Sequence, residues 1–145
     1  MATTFKWTAP EAIATYYTTE LNSLADGAFA AVGAAITNET GLYQYIDFEV
    51  ELASLSPAAG AFLDIWIHPT LDATNYADPA KPLQTSALLA SIGLDTTATT
   101  AQHLIATNIP IPPLDFKLQL RNKAGVALNA SGNSLKYRRH YEQGV

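Results

Sequence analysis

Ile46-Asp47-Phe48-Glu49-Val50-Glu51-Leu52 alternates four apolar residues with three carboxylates. Side chains leave a β-strand to opposite faces in turn, so this period of two predicts a strand with one buried and one wet face. Outward from it, Ser54-Leu55-Ser56-Pro57-Ala58-Ala59-Gly60 breaks the pattern with small residues, a proline and a glycine, and reverses the chain. Ala61 to His68 then supplies a partner strand. Leu63, Ile65 and Ile67 lie on one face, Phe62, Asp64, Trp66 and His68 on the other, and Pro69, which has no amide to donate, closes it.

The same alternation returns in Phe116-Lys117-Leu118-Gln119-Leu120-Arg121, before a turn at Asn122-Lys123-Ala124-Gly125. After a second turn from Asn129 to Asn133, Leu135, Tyr137, Arg139 and Tyr141 share one face of a terminal strand. Ala101 to Ile111 reads as a strand stopped by Pro110, Pro112 and Pro113, whereas Ser86 to Leu94 is apolar without a decisive period. The stretch from Pro69 to Pro82 reads as a loop at one end of the sheet. Near the start, Thr8-Ala9-Pro10-Glu11 matches a helix capping box, but Thr15 to Thr19 is equally good strand material, and an extended arm is the favoured reading. Ala28 to Thr37, interrupted by Gly33, is read as a further strand. Seven to nine short strands with no repeating helix between them predict an all-β antiparallel sandwich, jelly-roll-like, over residues 25–145, with an N-terminal arm over residues 1–24.

Composition bounds the function. The 145 residues are 48% apolar and 14% charged, enough to close a core that hides ~68–70% of the unfolded chain's surface. The absence of cysteine excludes disulfides and thiolate metal sites. No run of about 18 apolar residues and no signal-like opening occur, which predicts neither a leader nor a membrane partner. A net charge of −5 argues against nucleic acid as a partner. That average hides a polarity: twelve of the thirteen acids precede Lys117, and six of the eight bases lie from Lys117 onward. The polarity predicts cross-strand pairing inside one sheet, or an electrostatically directed contact with another protein.

A search for chemistry returns little. Nucleophilic catalysis needs a base beside a nucleophile, and His68, His103 and His140 lie near no Gly-x-Ser-x-Gly turn and form no His-Glu-x-x-His pair. His68 is expected to be a half-exposed sheet residue. Asp47, Glu49 and Glu51 offer the carboxylates a glycosidase needs, but their alternation with core residues reads as a solvated face, paired with Lys117 or Arg121 if those strands adjoin. Asp72 to Asp78 is rich in oxygen ligands yet lacks the spacing and glycine of a calcium-binding EF-hand, and reads as a plain loop. No phosphate-binding glycine loop occurs. The sequence therefore predicts no catalytic residue, no metal and no cofactor, and a structural or binding role. The segment Lys136-Tyr137-Arg138-Arg139-His140-Tyr141 reads as a terminal strand or protein-contact segment.

The segments ELNSLADGAFAAVGAAITN (20–38), HPTLDATNYADP (68–79) and IPIPPLDFKLQLRNKAGVALNASGNSLKYRRHYEQ (109–143) resemble a family of small jelly-roll virion proteins of tailed bacteriophages, most like head decoration, or cement, proteins. The resemblance spans most of the chain from about Glu20 onward and carries no catalytic residue. It implies a protein synthesised in the host cytoplasm and carried on the outer surface of the capsid. Its implied partners are the major capsid protein and further copies of itself, a trimer first and a dimer second. A tail- or fibre-associated receptor or carbohydrate-binding module, stacking sugars on Trp66 or Tyr76, is the alternative, together with another virion structural subunit. Contacts to capsid or neighbouring subunits are expected from the aromatic residues of the arm, Phe5, Trp7, Tyr16 and Tyr17, and from Lys136, Arg138 and Arg139, because interfaces favour aromatic and arginine anchors.

Overall fold

A computed structural model describes residues 4–97 and 99–144. Met1 to Thr3, the first residues of the expected arm, lie outside the described residues. Among the latter are nine strands and one single-turn helix: β1 (Phe5–Trp7), β2 (Ala14–Tyr17), β3 (Tyr45–Leu52), β4 (Phe62–Pro69), α1 (Pro82–Thr85), β5 (Ala87–Gly93), β6 (Gln102–Pro110), β7 (Phe116–Lys123), β8 (Ser134–His140) and β9 (Glu142–Gly144). The chain forms an all-β sandwich. One sheet runs β2-β8-β3-β6 and the other β5-β4-β7, every pairing antiparallel, while β1 pairs with β9. The segment 27–36 extends the second sheet along β7 through bridges at Phe29↔Arg121 and Ile36↔Phe116.

With that irregular segment included, the pairing follows one rule: the first five extended segments meet the last five in reverse. β1 meets β9, β2 meets β8, segment 27–36 meets β7, β3 meets β6 and β4 meets β5. That is a long antiparallel ribbon rolled upon itself, the topology of a jelly roll.

Alternation explains the core. Ile46, Phe48, Val50 and Leu52 of β3 face Leu63, Ile65 and Ile67 of β4 and Leu118 and Leu120 of β7, all buried between the sheets. Segment 27–36 is irregular because its ladder with β7 holds only at its ends. Ala30 N–H donates to Leu120 O at 2.8 Å, and Ile36 and Phe116 exchange both bonds at 2.7 and 3.1 Å. Leu118 lies between them without a strand partner on that side. The Tyr16 hydroxyl accepts its amide at 2.7 Å, and the Tyr17 hydroxyl lies within reach of both its carbonyl, at 3.1 Å, and that of Ala31, at 2.8 Å. A Cβ on Gly33 would meet the Tyr16 ring at 2.5 Å, so the glycine that interrupts this segment makes room for the tyrosine.

Several expectations change. The segment assigned to an arm, residues 1–24, is part of the sandwich from Ala14 onward, since β2 is an edge strand and Tyr17 and Leu21 are core residues. Ahead of β2, Thr8 and Glu11 donate backbone bonds to Tyr141 and Arg139, so this stretch runs alongside β8 and β9. His68, expected half-exposed, is 0% exposed. The loop between β4 and β5 folds back over it: Ser86 donates to His68 Nδ1 at 2.5 Å, while Nε2 meets Gln119 Oε1 at 3.1 Å. Gln119 Nε2 donates to Ala30 O, which turns the amide oxygen toward the ring and fixes the neutral tautomer with its proton on Nε2. Burial pushes the His68 pKa down, in keeping with a neutral ring.

Candidate functional site

The outer face of the β2-β8-β3-β6 sheet is where charge, exposed apolar surface and a shaped cleft meet. Register builds it. Asp47 lies opposite Arg138, Glu49 opposite both Lys136 and Ile105, and Glu51 opposite His103. Because these residues share one face, Arg138 Nε donates to Asp47 Oδ2 at 3.0 Å, and Lys136 Nζ sits 2.8 Å from Glu49 and 3.2 Å from Glu51. The acid-rich part of the sequence and its basic end thus close upon each other inside one sheet. Lys117 and Arg121 are not the partners of these carboxylates, since β7 belongs to the other sheet. Nor is the carboxylate face simply solvated, for Asp47 is buried.

Around this strip stand three exposed apolar side chains: Trp7 at 51%, Ile13 at 58% and Ile105 at 62%. Trp7 packs edge-on against Tyr45 and His140, with ring centroids at 5.4 and 5.0 Å. A cleft of about 200 Å³ opens between Ile13 and Ile105, floored by Asp47 and Arg138. A second of about 330 Å³ shares Asp47, Thr107 and Arg138 and runs to Trp7. At the junction β3 and β6 slip register between Ile46 and Phe48, and Asn108 takes a left-handed φ of 57°. The Asn108 amide N–H donates to Asp47 Oδ1 at 2.9 Å, and its side-chain oxygen lies 2.9 Å from Nε2 of the buried His140.

The expected contact residues separate. Trp7, Lys136 and Arg138 come together on this face. Tyr17 is completely buried in the chain's own core and is not a contact for another chain, and most of Tyr16 packs between the sheets. Both point inward because of a bulge between Thr15 and Tyr17, which overrides the alternation expected of neighbours in a strand. Arg139 also turns inward, gripping Glu11 with Nε at 2.7 Å and Nη2 at 2.9 Å and donating to Thr37 O through Nη1. Phe5 pairs through its backbone with Gly144, and its side chain lies outside what the structure describes. Of the three basic residues, Arg138 keeps the most donors to spare: its terminal guanidinium nitrogens make no hydrogen bond among the described residues. Trp66 and Tyr76, the rings of the sugar-binding alternative, are engaged elsewhere, edge-on to Phe29 and beneath the Lys117 ammonium.

Glu49, Glu51 and His103 bring ligand atoms within 4.8 Å of one another, a spacing a cation would accept. The Lys136 ammonium already bridges the two carboxylates and holds the Glu49 carboxyl below its ordinary range. Sequence reading missed Asn108, Thr107 and His140 as members of this face. A polar pair ahead of Pro110 was the only trace of the slip in register.

The fold and this face together define a jelly-roll sandwich with paired charges and exposed apolar side chains on the outer face of its four-stranded sheet. No protein-family model matches the sequence, and no curated protein sequence matches it.

Proposed function

We propose that this chain is a capsid decoration protein of a tailed bacteriophage, which binds the outer surface of the assembled major capsid lattice and bridges neighbouring subunits. The observation that carries the reading is the outer face just described. Exposed apolar side chains at Trp7, Ile13 and Ile105 stand beside a strip whose charges are already paired, so apolar surface that gains from being covered lies next to charges that already have partners. Resemblance of the segments 20–38, 68–79 and 109–143 supplies the partner. In this reading the chain acts by binding rather than by catalysis.

The mechanism is mass action. A protein that bridges a seam present only in the expanded shell adds contacts to that state alone, and so shifts the equilibrium toward it. Self-association about a local symmetry axis, as a trimer first and a dimer second, would multiply weak contacts by raising effective concentration. Cosedimentation with shells that lack the protein tests the reading. Purified chain should saturate expanded shells, bind unexpanded ones poorly, and lose about tenfold or more in affinity on Ile105→Asp, which buries a charge in the contact. Failure of the unaltered chain to bind expanded shells, or equal binding by the variant, counts against it.

A further inference from the structure

We propose that the cleft between Trp7 and the Asp47–Arg138 pair binds a carboxylated sugar. This goes beyond the capsid reading and does not rest on it; because Trp7 serves in both, sugar and shell would compete for that end of the face.

The cleft is built, and its builders use up only part of their hydrogen-bonding capacity. Asp47 spends Oδ1 on the Asn108 amide and Oδ2 on Arg138 Nε. His140, 5% exposed, holds the other side of Asn108 through Nε2. Three strands thereby fix one another around Asn108, whose left-handed φ of 57° is one that asparagine adopts more readily than other non-glycine residues. The residues that carry unspent groups all line the same cleft of about 330 Å³: Arg138 with its terminal nitrogens, Asn108 with Nδ2, Thr107 with its hydroxyl, and the half-exposed Trp7.

Each unspent group selects for part of the ligand. Two parallel N–H donors on a planar guanidinium match the two oxygens of a carboxylate. A tryptophan surface beside hydroxyl and amide groups suits a ring with an apolar face and polar edges, as a pyranose has. The neighbouring charge narrows the choice further. Asp47 holds Arg138 through Nε, which leaves the terminal nitrogens for a second carboxylate, and Glu49 and Glu51 farther along the same face oppose a polyanion more than a ligand with one carboxylate.

Titration of the full-length chain with galacturonate and glucuronate, followed by the amide and indole resonances of ¹⁵N-labelled protein, tests the proposal. Shifts should centre on the Trp7 indole, Thr107, Asn108 and Arg138, with galactose and glucose weaker by about tenfold or more for want of the ion pair. Arg138→Gln should abolish the preference for the acid sugars. Should that variant fold poorly, Trp7→Ala, at a half-exposed position, should weaken the acid sugar by a comparable factor. Equal binding of neutral and acidic sugars, shifts centred elsewhere, or an unchanged titration in the folded variants overturns the proposal. So does tighter binding of a blocked glutamate dipeptide on the same resonances, which would make the occupant an acidic peptide.

Discussion

At Leu118 the backbone is served by two tyrosine hydroxyls instead of a neighbouring strand. Tyr16 accepts the amide and also reaches the carbonyl at 3.0 Å, as Tyr17 does at 3.1 Å, both from the opposite sheet. Removing one partner leaves a buried group desolvated and unpaired, so Tyr16→Phe should lower unfolding free energy by about 1–3 kcal/mol, read from denaturant midpoints. Burial raises the Tyr16 pKa from 10.0 to about 12 and raises that of Tyr17 as well. The unfolded chain therefore releases these protons first. Their contribution is complete below the unfolded value and is lost as pH climbs through and above it. Stability should fall steeply above about pH 10, and the fall should be shallower in Tyr16→Phe and Tyr17→Phe. Tyrosinate absorbance from these two residues in still-folded protein near that pH would contradict the account. None of this was legible in the sequence, where consecutive tyrosines in a strand point to opposite faces; a bulge, set by pairing with β8, turns both inward.

Among elements, β3 and β8 show how charge supports register. Two positions of β3 set a carboxylate opposite a base of β8, Asp47 with Arg138 and Glu49 with Lys136, so a slip by one residue would break the pairs and turn the apolar face of β3 outward. Glu49→Lys and Lys136→Glu should each lower the denaturation midpoint, and the double swap should recover most of the loss. A purely additive double variant would show that the pairs have no part in register. The Glu49 carboxyl is held low chiefly by the Lys136 ammonium, so this support is present above the unfolded pKa of Glu49 and lost as pH falls through the folded one. Strands such as β3, β4, β7 and β8 were legible because burying one face against the other sheet, with polar residues on the opposite face, imposes alternation. β5 was not, since an edge strand with residues exposed on both faces has no clean period. The four-residue α1 is too short for any helical period to show. Segment 27–36 was legible as extended but not as irregular, since the side chains that complete its ladder come from β2.

For the whole molecule, the rolled ribbon leaves the two sheets with different outer surfaces. The loop between β4 and β5, with segment 27–36, covers part of the three-stranded sheet and buries His68, Asp64 and Gln119 there. Leu71, Leu83 and Leu88 are exposed on that side, whereas Trp7, Ile13 and Ile105 are exposed beside the paired charges of the four-stranded sheet, whose outer face no long loop among the described residues covers. Sequence patterning separated inward from outward residues along single strands, but which outward face is covered depends on where a long loop comes to rest. That asymmetry is why the uncovered sheet is proposed as the capsid-binding face. Copy number in purified virions, measured by quantitative mass spectrometry against the major capsid protein, tests this most directly. A decoration protein spread over the lattice should be present in a fixed proportion to the capsid subunit, on the order of hundreds of copies per particle, as mass action on a repeated seam requires. A handful of copies per particle, or none, would contradict it.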